Sequence, residues 1–233
     1  MMNHRVFRFK QCAIDDSRCA MKVGTDAVIL GAWANICNAN TVLDIGTGCG
    51  LIALMIAQRC NAQITAIDID ENAFIQSKEN FLDSPWSQRL KSIHGAVQQF
   101  DLSSKYDFII SNPPFFKNAL KAPDPQRNTA RHNDKLSFES LLDAVNRLLN
   151  DKGIFSFILP VTEANQVITL ATAYQLYPIR CCEVFSRDGN IPNRLLVELT
   201  RAESSIKTEK LIIRNNSNQY TLQYKQLTKD FYL

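Results

Sequence analysis

The residues best suited to chemistry in this chain stand together at 112–115, Asn-Pro-Pro-Phe. They follow "YDFII" (106–110), whose β-branched and aromatic residues predict a buried strand. Proline has no N–H to donate, so the doubled proline ends that strand. Each residue before a proline is driven into an extended conformation, which fixes Asn112 and Pro113. Held so, the Asn112 side-chain oxygen and the Pro113 carbonyl can both point outward as acceptors. Two acceptors suit an amino group with two hydrogens. An aryl or amide NH2 is a poor nucleophile because its lone pair is delocalised. Gripping both hydrogens favours a pyramidal nitrogen and stabilises the positive charge that develops on it. Phe115 offers a face on which a planar base can stack, worth about 1–3 kcal/mol. Alone, Asn-Pro is also an ordinary turn dipeptide. The chemical reading rests on what stands upstream.

Sixty-six residues before Asn112, "DIGTGCG" (44–50) places Gly46, Gly48 and Gly50 between a predicted strand and a predicted helix. A glycine turn opening a helix lets a ligand approach the backbone and the helix N-terminus. The spacing is G-x-G-x-G, not the G-x-G-x-x-G of dinucleotide sites. Asp44, two residues before the first glycine, would repel a pyrophosphate but suits a ligand carrying ammonium and sulfonium charges. S-adenosylmethionine is such a ligand. Asp68 ends the next strand, 24 residues after Asp44, where Rossmann-like sites place an acid that accepts from ribose hydroxyls. After the third strand many methyltransferases carry an acid facing the adenine amino group. Here that position is Ala96, so backbone and apolar contacts are expected to hold the adenine.

These residues need a frame, and the chain predicts one. After about 40 residues, strands and helices alternate: "TVLDI" (41–45), helix 51–60, "QITAIDI" (63–69), a helix near 71–82 with Asp70 as N-cap, "RLKSIH" (89–94) and "YDFII". An amphipathic helix at 137–150 begins with a Ser-x-x-Ser cap, and "GIFSFIL" (153–159) is a fifth strand. "IRCCEVFS" (179–186) and "NRLLVELT" (193–200) flank a Gly/Pro/Asn turn as an antiparallel pair. The expected fold is α/β: a Rossmann-like, doubly wound, mostly parallel sheet with an antiparallel edge strand. The tip carrying Asn112 should adjoin the first strand at the topological switch point.

At 233 residues the chain suits one large domain, with 1–40 an N-terminal segment packing on a catalytic domain at 41–233. A hydrophobic content of 45% supports a sizeable core without metals or disulfides. Seven scattered cysteines without a C-x-x-C pair read as reduced thiols of a cytoplasmic protein, with no metal site. No apolar run approaches the roughly 18–20 residues of a membrane helix, and "MMNHRVFRFKQ" has no signal-peptide apolar region. The net charge is only +3, yet residues 116–135 alone hold five Lys/Arg against two Asp. That segment, with two prolines and three asparagines, reads as a long basic loop.

The segments "FRFKQCAIDDSRCAMKVGTDAVILGAWA" (7–34), "DIGTGCG", "SNPPFF", "ARHNDKLSFESLL" (130–142) and "YKQLTKDFYL" (224–233) closely resemble the bacterial tRNA-valine adenine-37 N6-methyltransferases. Asn-Pro-Pro-Phe is shared with neighbouring families, whereas "MKVGTD", "ARH" and "LTKDFYL" are more particular to this one. The resemblance implies that Asp44, Gly46, Gly48, Gly50 and Asp68 bind S-adenosylmethionine with Asn112, while Asn112, Pro113 and Phe115 hold the target adenine. Lys22 and Thr25 would close over the methionine end, though Thr25 also reads as the N-cap of the following helix. Lys117, Arg127, Arg131, His132 and Lys135 of the basic loop, with Arg194, are the expected RNA contacts. The implied partner is the anticodon arm of a tRNA, bound by a monomer with no membrane or DNA partner. Two rivals stay open at this point. One methylates another amino group, a protein glutamine amide or a ribosomal RNA guanine; the other is a catalytically silent S-adenosylmethionine-binding module in RNA assembly.

Overall fold

The computed structural model describes residues 6–36, 38–100, 105–114 and 136–232. Its centre is an eight-stranded sheet. The strands are β3 (Thr41–Ile45), β4 (Gln63–Asp68), β5 (Leu90–His94), β6 (Tyr106–Ser111), β7 (Leu149–Leu159), β8 (Tyr177–Arg187), β9 (Arg194–Thr200) and β10 (Lys207–Arg214). They lie in the order β10-β8-β9-β7-β6-β3-β4-β5. β9 pairs antiparallel with β7 and β8, and every other neighbouring pair is parallel. A small antiparallel hairpin, β1 (Val6–Arg8) with β2 (Ala13–Asp15), precedes the sheet.

Helices cover both faces. On one side lie α1 (Thr25–Trp33), α2 (Leu51–Arg59), α3 (Glu71–Leu82) and, late in the chain, α6 (Leu222–Thr228). On the other lie α4 (Phe138–Leu148) and α5 (Val161–Ala171). The central strands are buried on both faces, which is why "TVLDI" and "YDFIIS" read as apolar runs without alternation. α4 is stripe-amphipathic instead: Leu141, Leu142, Ala144, Val145 and Leu148 face the core while Glu139 and Asp143 face water. The sequence-predicted caps hold, with Asp70 Oδ1 accepting from the Ala73 N–H at 2.9 Å and Ser137 Oγ from the Ser140 N–H at 3.1 Å.

Three differences from the sequence reading have local causes. α4 stops at Leu148 and β7 begins at once, four residues before the expected start of that strand, because Leu149 is extended and buried rather than helical. Thr25 is not the N-cap of α1: Gly24 holds that position, extended and with no side-chain cap bond, and Thr25 is the first helical residue. β10, α5, α6 and the β1–β2 hairpin were not anticipated. β10 opens on "KTEK", exposed but for a half-buried Glu209, so it lacks the apolar start that marks a buried strand.

The flank β9-β8-β10 is stapled to α1 by a charge network at its far end from the glycine turn. Arg180 donates to both oxygens of Glu209 (3.1 and 3.0 Å) and to the Trp33 carbonyl (3.2 Å), and lies 4.0 Å over the Trp33 ring. The Trp33 indole N–H donates to the same Glu209 carboxylate at 2.8 Å. Burial raises the Glu209 pKa, but Arg180, Lys207 and Trp33 outweigh it and bring the pKa down to about 2.

Candidate active site

β3 and β6 are neighbours, and Ile45 pairs with Ser111 at the last rung. Ser111 Oγ donates to the Ile45 carbonyl at 2.8 Å, tying the two strand ends together. The next residue on each strand is Gly46 on one and Asn112 on the other, so the glycine turn and the proline turn leave adjacent strand tips. Asn112 is half-buried, Pro113 buried and Pro114 exposed.

Gly46 and Gly48 have φ of +71° and +58°, a left-handed region costly to any residue with a Cβ. A Cβ built on either would meet nothing within 4 Å, so the backbone there faces open space. Gly50 is glycine for packing as well, since at φ +83° its Cβ would fall 2.5 Å from the Phe81 ring. Gly46 and Thr47 donate to the Ile67 carbonyl (2.9 and 3.2 Å), which ties the turn to β4.

Two carboxyls face this turn from below. Asp44 is fully buried; Thr47 donates its hydroxyl to Oδ2 at 2.6 Å, and Oδ1 accepts no hydrogen bond from the described residues. Burial pushes the Asp44 pKa up to about 7, a rise the Thr47 hydroxyl only partly offsets and Asp68 reinforces. Asp68 accepts the Gly48 N–H on Oδ2 (2.8 Å) and the Asp70 N–H on Oδ1 (3.0 Å). Burial raises its pKa too, against the pull of these amides. Each Asp68 oxygen keeps a second lone pair for a ligand hydroxyl. Among the described residues no Lys or Arg lies within ion-pair distance of either carboxylate. An orphaned buried oxygen, two unneutralised acids and open space over two glycines fit a cationic, ribose-bearing ligand such as S-adenosylmethionine. Past β5, Ala96 is extended and starts a short 3-10 turn, while exposed Ile69 stands beside Asp68 as an apolar surface.

The segment before α1 closes one side. Asn80, buried on α3, donates to the Asp15 and Cys49 carbonyls (both 2.8 Å) and accepts the Asp15 N–H (3.1 Å). Cys49 neighbours Cys19, a pairing that raises the Cys49 thiol's pKa, with burial adding to the rise, and lowers that of Cys19. Lys22 belongs to this segment, its ammonium donating to the Asp16 (2.7 Å) and Ser17 (3.1 Å) carbonyls. Thr25 instead lines a cavity with Asp26 and Arg194. Arg194 Nε donates to Asp26 at 2.7 Å, so its charge is matched within the protein. Phe115, Lys117, Arg127, Arg131, His132 and Lys135 lie outside the described residues. Sequence reasoning missed Thr47, Asn80 and Ser111. Thr47 sits inside the quoted motif, whereas a buried polar side chain in mid-helix such as Asn80 leaves no periodic signal.

The fold and this strand-end constellation define a class I, S-adenosylmethionine-dependent methyltransferase. The methyltransferase small domain family model matches residues 20–135. Among solved structures, a predicted O-methyltransferase of Agrobacterium tumefaciens aligns with a TM-score of 0.69 at 18% identity, over 88% of this chain and 96% of its own. The glycopeptide N-methyltransferase MtfA, complexed with S-adenosyl-L-methionine, gives 0.58 at 13% identity over 78% of this chain and 100% of its own. At these identities the likeness is one of fold. The tRNA1(Val) (adenine(37)-N6)-methyltransferase of Bacteroides fragilis is 44% identical over 100% of this chain and 99% of that relative. Those of Bacteroides thetaiotaomicron (43%) and Histophilus somni (42%) match over the same shares. The chain belongs to this family of tRNA1(Val) (adenine(37)-N6)-methyltransferases.

Proposed function

We propose that this protein methylates the exocyclic N6 of an adenine in tRNA, adenine 37 of a valine tRNA, using S-adenosylmethionine. The observation that carries the reading is the junction of β3 and β6, where Asn112 leaves the sheet beside the glycine turn. S-adenosylmethionine supplies, when bound, an electrophilic methyl group on a sulfonium centre. Asp44 sets a negative field under that centre, Asp68 accepts from ribose hydroxyls, and the Gly46 and Gly48 backbone gives close access.

On the other side of the junction, Asn112 Oδ1 and the Pro113 carbonyl accept the two hydrogens of the adenine amino group. Both are fixed by the prolines that follow them. The grip directs the nitrogen lone pair outward and stabilises the charge it gains. In-line placement of the two reactants provides the rest. Phe115 stacks on the base, and Lys117, Arg127, Arg131, His132 and Lys135 neutralise phosphates of the anticodon arm. Lys22 closes the methionine end.

The enzyme acts as a cytoplasmic monomer, its N-terminal segment packed on a single catalytic domain. Among the described residues no helix is long and apolar enough to cross a membrane. Full-length similarity to curated tRNA enzymes favours tRNA over a glutamine amide or ribosomal guanine. The test is nucleoside mass spectrometry of total tRNA incubated with protein and labelled cofactor. N6-methyladenosine appearing only with the intact protein supports the assignment, and label in guanine or in no nucleoside overturns it.

A further inference from the structure

Outside the strand-tip site a cavity of about 500 Å3 lies at the same end of the sheet over β8, β9 and β10. Its walls include Arg187, Arg194, Arg214, Asn190 and Tyr220, with Asp26 the single acid. Asp26 is taken by Arg194, which leaves Arg187 and Arg214. These two are direct partners on the last rung of the β8–β10 ladder. Like charges directly opposite on neighbouring strands repel. Among the described residues neither has a carboxylate within ion-pair distance.

Neutral groups hold both guanidinia in place. Asn218, itself at φ +62°, accepts Arg187 Nη2 on its side-chain oxygen (3.1 Å) and Arg214 Nη1 on its backbone carbonyl (2.6 Å). The Arg214 guanidinium carbon lies 4.0 Å over the Tyr220 ring, which stacks in turn on Tyr224. A left-handed asparagine thus props two repelling cations beside each other without neutralising them. Two fixed guanidinium forks match the oxygens of a phosphodiester.

We infer that this cavity is a second RNA-docking site, in which Arg187 and Arg214 grip backbone phosphates flanking the target nucleotide. The inference rests on the tRNA methyltransferase reading. β8 stands three strands from β6, about 14 Å at the usual strand spacing. The site therefore holds a neighbouring stretch of the strand and not the methylated base.

The test is Arg187→Glu. Glutamate opposite Arg214 replaces a repulsion with an ion pair, so melting temperature holds or rises and S-adenosylmethionine affinity is unchanged. The KM for tRNA rises at least tenfold, kcat at saturating tRNA stays within about threefold, and the slope of log affinity against log salt drops by about one. Arg187→Gln shows the same changes in smaller measure. Two results overturn the inference: a KM and salt slope matching wild type, or inorganic phosphate raising the melting temperature of wild type but not Arg187→Glu while tRNA kinetics stay equal, which would assign the cavity to a small phosphorylated ligand. Failure of the wild-type protein to methylate any tRNA would instead remove the parent reading.

Discussion

Asp44→Asn should remove the pH dependence that the buried Asp44 carboxyl imposes on stability. In the cofactor-free protein the Asp44 pKa lies near 7 against an ordinary 3.8, chiefly because the carboxyl is buried. At about 1.4 kcal/mol for each tenfold change in acidity, ionising it in the folded state costs up to roughly 4 kcal/mol. For an acid with a raised folded pKa the group's contribution is complete below 3.8, falls as pH rises and is lost by about 7. Asparagine does not titrate, but it buries an NH2 where the described residues offer no partner, a cost of about 1–3 kcal/mol. The variant should therefore be the less stable form near pH 4.5 and the more stable one at pH 8. Urea unfolding at half-unit steps between these values reads the difference, since all other titrating groups are shared and cancel. Calorimetry adds a second readout, in which S-adenosylmethionine binding tightens with pH through 7 in the wild type and stays flat, and weaker, in the variant. Unfolding curves that keep a constant separation across the range would refute the argument that Asp44 charges inside the fold.

The other predictions are simpler. Asn112→Ala should lower kcat by about 10²–10³ while S-adenosylmethionine affinity stays within a few fold, because the lost acceptor acts in the transition state; normal turnover with a verified fold would remove Asn112 from the mechanism. Arg180→Ala leaves Glu198 and Glu209 without their shared cation and should cost about 3–5 kcal/mol in urea unfolding, and a loss below 1 kcal/mol would show the network to be incidental. Gly50→Ala combines a left-handed backbone with a 2.5 Å approach to Phe81, so a loss of about 2–4 kcal/mol and weakened cofactor binding are expected; a wild-type melting temperature would contradict it.

The central half of this fold was legible because burial on both faces forces largely apolar runs, and β3 and β6 carry them. The residues aimed at chemistry were legible for a related reason. Gly46 and Gly48 stand where only backbone conformation and access matter, and the paired prolines act locally on Asn112. The flank was harder to read. β10 is half exposed, α6 buries only Tyr224 and Thr228, and each is held by contacts far off in sequence. Asn80 and Arg180 are likewise set by tertiary partners, Asp15 and Cys49 for one and Trp33 and Glu209 for the other.

The single reversed strand has a consequence for the order in which the molecule is made. β8 leaves the ribosome before β9, yet both of its neighbours, β9 and β10, come later in the chain. Until β9 slots between β7 and β8, β7 keeps an open edge and β8 has nowhere to pair. The half that carries the glycine turn is complete by then, so a nascent chain can grip its cofactor before the arginine-lined flank exists. β8, β9 and β10 should accordingly open and close as one cooperative unit in native-state hydrogen exchange, leaving β3 and β4 protected behind them.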